Sequence, residues 1–128
     1  MKTYNSLKYP NSLVEYHWLL EQTKDKNIRL YDCTTYLGYT DRQPSKPYNV
    51  ESGEANYNAG HIPGSAFLDL QENLSDENSP YKMTLPTYST LENAFKQLGI
   101  GDPYRIILYS CNGQHEFGIC FIHWVLIM

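Results

Sequence analysis

Two short segments of this 128-residue chain carry side chains suited to chemistry. The first is residues 60–67 (Gly-His-Ile-Pro-Gly-Ser-Ala-Phe), which place His61 in a tight turn before an apolar stretch. Imidazole exchanges protons near neutral pH, so His61 is a candidate acid–base group; its alternative role is to hydrogen-bond the turn and hold Pro63 and Gly64 in place. The second segment is Ser110 with Cys111, at the end of an apolar run.

Cys111 is the candidate nucleophile by residue type. We predict it in a loop over residues 111–116 that leads into a helix, and amides at a helix N-terminus stabilise a thiolate. The alternative interpretation is a half-exposed thiol with no catalytic role. Cys33 and Cys120 are predicted to be small packing residues.

Two other chemistries are considered for the C-terminal segment and set aside. The spacing C-x3-H-x4-C-x2-H resembles a set of zinc ligands, but the residues between are apolar and a strand–loop–helix arrangement would spread the ligands, so we predict no metal. The members of that set are Cys111, His115, Cys120 and His123. A phosphatase loop, Cys-x5-Arg, fails because Phe117 stands where the phosphate-binding arginine is required.

Acidic residues near the two segments have predicted supporting roles. Glu51 and Glu54 are candidates to orient His61. Asp32 ends a predicted strand, where we expect it to anchor the loop that follows.

Charge and composition exclude several functional classes. The net charge of −4 argues against binding to nucleic acid or an anionic membrane. The three cysteines do not form a disulfide framework, and the N-terminus has neither a signal peptide nor an arginine-rich transit peptide. We therefore expect a reducing, cytoplasmic location, with a mitochondrial one left open. The apolar run 117–128 is too short to span a bilayer, which needs about 20 residues.

Strands and helices alternate along the chain, which predicts an α/β fold with an open parallel sheet and helices on both faces. The run 105–110 is almost continuously apolar, as in a strand covered on both faces. Thr87 or Ser89 can cap the helix before it, and Gly99 and Gly101 end that helix. The predicted elements are helix 16–22, strand 28–32, a long polar loop 34–59, strand 66–69, a polar loop 75–86, helix 91–98, strand 105–110 and a helix from 117.

These elements fit one domain over residues 13–128, preceded by a lead-in at 1–12. The chain stops inside the predicted helix 117–128 without a cap or a following strand. We therefore expect the C-terminal part of the fold to be missing.

An ordered set of segments resembles the rhodanese family, in particular the N-terminal half of two-domain thiosulfate/3-mercaptopyruvate sulfurtransferases. A single His-Ile-Pro-Gly would be weak support, but the matching segments run in order over nearly the whole domain. They are 13–14, 18–19, 28–32, Tyr57, 60–69, 74–76, 85–86, 98–102, 106–109 and the helix around Trp124.

The resemblance implies sulfane sulfur transfer through a cysteine persulfide in the family's active domains. The cysteine of those domains follows the central strand, and Ser110 occupies that position here. N-terminal domains of the family usually lack the cysteine and leave the chemistry to the C-terminal domain. The family's arginine early in the last helix is replaced by Phe121, so the resemblance does not provide its anion contacts.

Three functions follow from the resemblance, and whether this chain is itself an enzyme stays open. In the first, this chain is a structural half, and a C-terminal rhodanese domain performs the chemistry on a small-molecule sulfur donor and acceptor. The second is an inactive rhodanese-fold module for binding or regulation, and the third is weak sulfur transfer by Cys111. The resemblance further implies that His61 matches a histidine that joins an acid–base relay at the domain interface of mercaptopyruvate-type relatives. We expect no cofactor.

Overall fold

The computed structural model describes residues 14–22, 24–39 and 48–110. Four helices and five strands lie in these ranges. The elements are α1 (Tyr16–Glu21), β1 (Ile28–Asp32), β2 (Thr35–Tyr39), β3 (Tyr48–Ser52), α2 (Glu54–Ala59), β4 (Ala66–Phe67), α3 (Leu70–Leu74), α4 (Tyr88–Leu98) and β5 (Arg105–Tyr109).

A parallel sheet with strand order β4-β1-β5 forms the centre of the fold. β1 lies in the middle and pairs with β5 over its whole length, from Ile28 opposite Arg105 to Asp32 opposite Tyr109. β4 pairs with the last two residues of β1 on the other side. The sheet is not closed, which confirms the predicted open parallel α/β fold.

Side-chain alternation along β1 divides the core between the two faces of the sheet. Leu30 packs with Leu19 of α1 on one face. Tyr31 packs on the other face with the helices that follow β4, through Leu70 and Leu91. Successive residues of a strand point to opposite faces, so both faces of β1 are covered by helices as predicted.

The prediction of a long irregular loop over 34–59 is wrong. β2 and β3 form a two-stranded antiparallel sheet there, with Thr35 opposite Ser52, and α2 follows directly. Two prolines suggested that regular structure would be blocked, but Pro44 and Pro47 lie between the strands, in residues outside the described ranges. The strands themselves are rich in Tyr, Thr and Val, residue types that favour extended backbone.

Smaller corrections concern where elements begin and end. β4 stops at Phe67, and Asp69 caps α3, a helix that sequence reasoning missed; its side chain accepts from the Glu72 amide at 2.9 Å. α4 begins at Tyr88 with Thr87 as its N-cap, which excludes Ser89 from that role. α1 and β5 are one residue shorter than predicted, and the predicted loop 111–116 and helix from 117 lie outside the described residues.

The root of the β2–β3 hairpin is packed too tightly for a side chain at Gly53. A Cβ there would lie 2.6 Å from the Thr34 carbonyl oxygen and 2.7 Å from the Thr34 Cβ. We expect Gly53→Ala to lower the free energy of unfolding by about 1–3 kcal/mol through overpacking. Denaturant unfolding measures it. Gly38→Ala, where a Cβ would meet nothing within 4 Å, is the control; equal stabilities of the two variants would contradict the packing argument.

Among the described residues, no helix is long and apolar enough to cross a membrane.

Candidate functional site

The carboxyl ends of the three parallel strands meet at one edge of the sheet, where ligands bind in open α/β folds. The Cys33 amide donates to the Tyr109 carbonyl at 2.9 Å, and the Leu68 amide donates to the Asp32 carbonyl at 2.8 Å. These bonds continue the sheet one residue beyond β1 and β4. The half-buried Ser110 directly follows β5 at this same edge.

Asp32 anchors the loop after β1, as predicted. Its carboxylate is buried and accepts from the Thr34 amide at 2.9 Å and from the Thr34 hydroxyl at 2.5 Å. Cys33 is fully buried in the core, which confirms its packing role. Both side chains are therefore part of the fold beneath the edge.

His61 follows α2 and its ring covers the end of that helix. The imidazole Nδ1 lies 2.8 Å from the carbonyl oxygen of Tyr57, one of the last-turn carbonyls that have no partner within a helix. The ring also stacks on the Tyr57 ring, with centroids 3.8 Å apart and planes 13° from parallel. The side chain is nevertheless exposed, so one edge of the imidazole faces solvent.

The prediction that Glu51 or Glu54 orients His61 is wrong. Within the described part of the chain, neither carboxylate is hydrogen-bonded or ion-paired to the imidazole. Glu51 lies in β3 and Glu54 opens α2, whereas the imidazole lies at the opposite end of that helix. A backbone carbonyl and an aromatic ring therefore replace the expected carboxylate.

The turn after His61 is bound to the end of β5 through the Tyr109 hydroxyl. The Ile62 amide donates to this oxygen at 3.2 Å, and the Ser65 hydroxyl lies 2.9 Å from it. The Ser65 hydroxyl in turn donates to the Ile62 carbonyl at 2.7 Å. Since that proton is committed, the Tyr109 hydroxyl donates to Ser65, and the three bonds form a closed cycle.

Tyr57 holds the same turn from the helix side. Its hydroxyl donates to the Ser65 carbonyl at 2.7 Å, and its ring contacts Phe67 at a centroid distance of 5.6 Å. Sequence reasoning assigned no role to Tyr57 or Tyr109, which are two of twelve tyrosines. The one local signal is that Tyr57 precedes His61 by four residues, the spacing at which a side chain can reach the last turn of a helix.

Both cysteines and both histidines of the zinc-like pattern lie outside the described residues, and one of them is the candidate nucleophile Cys111. Across residues 14–22, 24–39 and 48–110, no group of three or more His, Cys, Asp or Glu side chains could hold a metal ion.

An open parallel sheet with a histidine turn joined to its carboxyl edge defines an α/β domain with a candidate site, and sequence comparison shows which proteins the chain is similar to. The chain is 33% identical over 93 residues to a 3-mercaptopyruvate sulfurtransferase of Escherichia coli K12, an alignment that covers 73% of this chain and 30% of that protein. It is 27% identical over 118 residues to a thiosulfate sulfurtransferase of Cricetulus griseus, covering 89% and 36%. The human 3-mercaptopyruvate sulfurtransferase is 25% identical over 118 residues.

These relatives confirm the resemblance of the chain to the rhodanese family of sulfurtransferases. The chain spans about a third of the length of these curated relatives. No protein-family model matches the chain.

Proposed function

We propose that this chain is a rhodanese domain that supports sulfane sulfur transfer without performing it, and that a second rhodanese domain supplies the reactive cysteine. The observation that carries this proposal is Ser110, at the end of β5 where the family's active domains hold that cysteine. The lengths of the relatives, about three times the aligned segment, are consistent with a further domain in the working protein.

The chemistry explains why serine at this position matters. In the transfer, a thiolate attacks the outer sulfur of thiosulfate, the sulfur–sulfur bond breaks, and sulfite leaves with the bonding electrons. The resulting persulfide then gives its outer sulfur to cyanide or a thiol and regenerates the thiolate. A serine hydroxyl is not ionised at neutral pH and does not form a persulfide. Ser110 therefore cannot perform the first step.

His61 is the residue that we expect this domain to contribute. When mercaptopyruvate gives its sulfur to a cysteine thiolate, the carbon–sulfur bond breaks and leaves an enolate that must take a proton to become pyruvate. An exposed imidazole is suited to deliver that proton. The Tyr109 hydroxyl joins the His61 turn to the end of β5, next to Ser110, and this connection supports the proposed role of His61.

The test is thiocyanate production from thiosulfate and cyanide by the 128-residue chain. We expect the wild type and Cys111→Ser to match the uncatalysed rate, because neither has a cysteine at position 110. Ser110→Cys shows whether the position itself accepts the nucleophile. Robust wild-type turnover that disappears in Cys111→Ser would overturn the proposal and make Cys111 the nucleophile.

A further inference from the structure

The contacts around His61 determine which of its nitrogens can exchange a proton. A carbonyl oxygen has lone pairs and no proton, so the 2.8 Å contact from Nδ1 to the Tyr57 carbonyl requires a proton on Nδ1. The neutral imidazole then has its lone pair on Nε2. Within the described residues, Nε2 forms no hydrogen bond of its own.

The Tyr57 ring limits how the imidazole can rotate. Stacking at 3.8 Å with nearly parallel planes keeps the imidazole against one face of the phenol ring, while Nδ1 is fixed to the carbonyl of the same residue. One residue thus determines both the plane and the tautomer of His61. This takes the place of the carboxylate that usually orients such a histidine.

The geometry of the turn depends on two hydroxyls from opposite sides. The Tyr57 hydroxyl binds the Ser65 carbonyl from α2, and the Tyr109 hydroxyl binds the Ile62 amide and the Ser65 side chain from β5. Ser65 is almost completely buried between them. Losing either hydroxyl would leave backbone groups of the turn without their partners and loosen the segment that carries His61.

We infer that Tyr57 and Tyr109 are positioning residues that hold His61 with Nδ1 protonated, so that Nε2 is the atom that exchanges a proton. This inference rests on the proposed function only for its effect on turnover. The protonation of Nδ1 and the role of the two hydroxyls are properties of the chain by itself.

The first experiment measures the tautomer directly. Long-range proton–nitrogen NMR spectra of the full chain, labelled with nitrogen-15 histidine and assigned with His61→Gln, distinguish protonated from unprotonated ring nitrogens. We expect neutral His61 to carry its proton on Nδ1, and Tyr109→Phe and Tyr57→Phe to shift it toward a mixture of tautomers. Tyr88→Phe, at a tyrosine that is 81% exposed, is the control and should not change the spectrum. A proton on Nε2 in the wild type would overturn the inference.

The second experiment measures turnover with mercaptopyruvate when the chain is joined to a catalytic rhodanese domain. We expect Tyr109→Phe to lower kcat by roughly 5- to 10-fold, the equivalent of about one hydrogen bond, with no further loss when His61→Gln is already present. Equal losses in both backgrounds would show that Tyr109 acts independently of His61 and would overturn the inference. If His61→Gln has no effect, the proposed catalytic role fails, whereas the tautomer result still decides the positioning role.

Discussion

His61→Ala is expected to lower mercaptopyruvate-dependent sulfur transfer by about 100-fold or more and to leave thiosulfate-dependent transfer nearly unchanged. The difference arises because mercaptopyruvate leaves an enolate that needs a proton, whereas thiosulfate leaves sulfite, which does not. The measurement is the initial rate with each donor, in a chimera of this chain with a catalytic rhodanese domain.

Two controls separate proton transfer from support of the turn. His61→Gln retains a hydrogen-bonding side chain but cannot transfer a proton, so it should behave as His61→Ala does with mercaptopyruvate. His17→Ala changes an exposed histidine on α1 and should have no effect with either donor. Equal losses on both donors, together with a lower melting temperature, would show that His61 only holds the turn together.

Leu68→Ala should remove about 2–5 kcal/mol from the free energy of unfolding, as large-to-small substitutions in a core do. Leu68 follows β4 and is completely buried in the cluster that contains Tyr31 and Leu91. Its amide donates to the Asp32 carbonyl, so the backbone has little freedom to move into the cavity. Chemical denaturation with a constant m-value would measure the loss.

Leu85→Ala is the matched control for this prediction. The side chain of Leu85 is 37% exposed, so the same substitution should change the free energy of unfolding by no more than about 0.5 kcal/mol. A comparable loss in the two variants would mean that the core of the domain does not depend on the packing described around β4.

The sequence could predict the parallel α/β fold because local patterns carried the information. Each of these patterns lies within a few consecutive residues: the apolar run at β5, the helix pattern before it, and the glycine at position 99. Gly99 ends α4 in the left-handed conformation, with φ 72°. The hairpin was missed because Pro44 and Pro47 indicate an irregular loop, although the residues on either side of them favour extended backbone. The short helix α3 was missed because five residues are too few to establish a helical period.

The sequence by itself determined the candidate site residues: a histidine in a tight turn, and a serine where active domains of the family it resembles hold cysteine. Only the tertiary structure decided how the histidine is held. Tyr109 is 47 residues from Ile62 along the chain and 44 from Ser65. It reaches them because β4 and β5 both pair with the end of β1, which brings the start of the short strand β4 close to the level of Tyr109. A hydrogen bond between such distant residues leaves no periodic pattern in the sequence, because it depends on how the strands pair and not on which residues are neighbours.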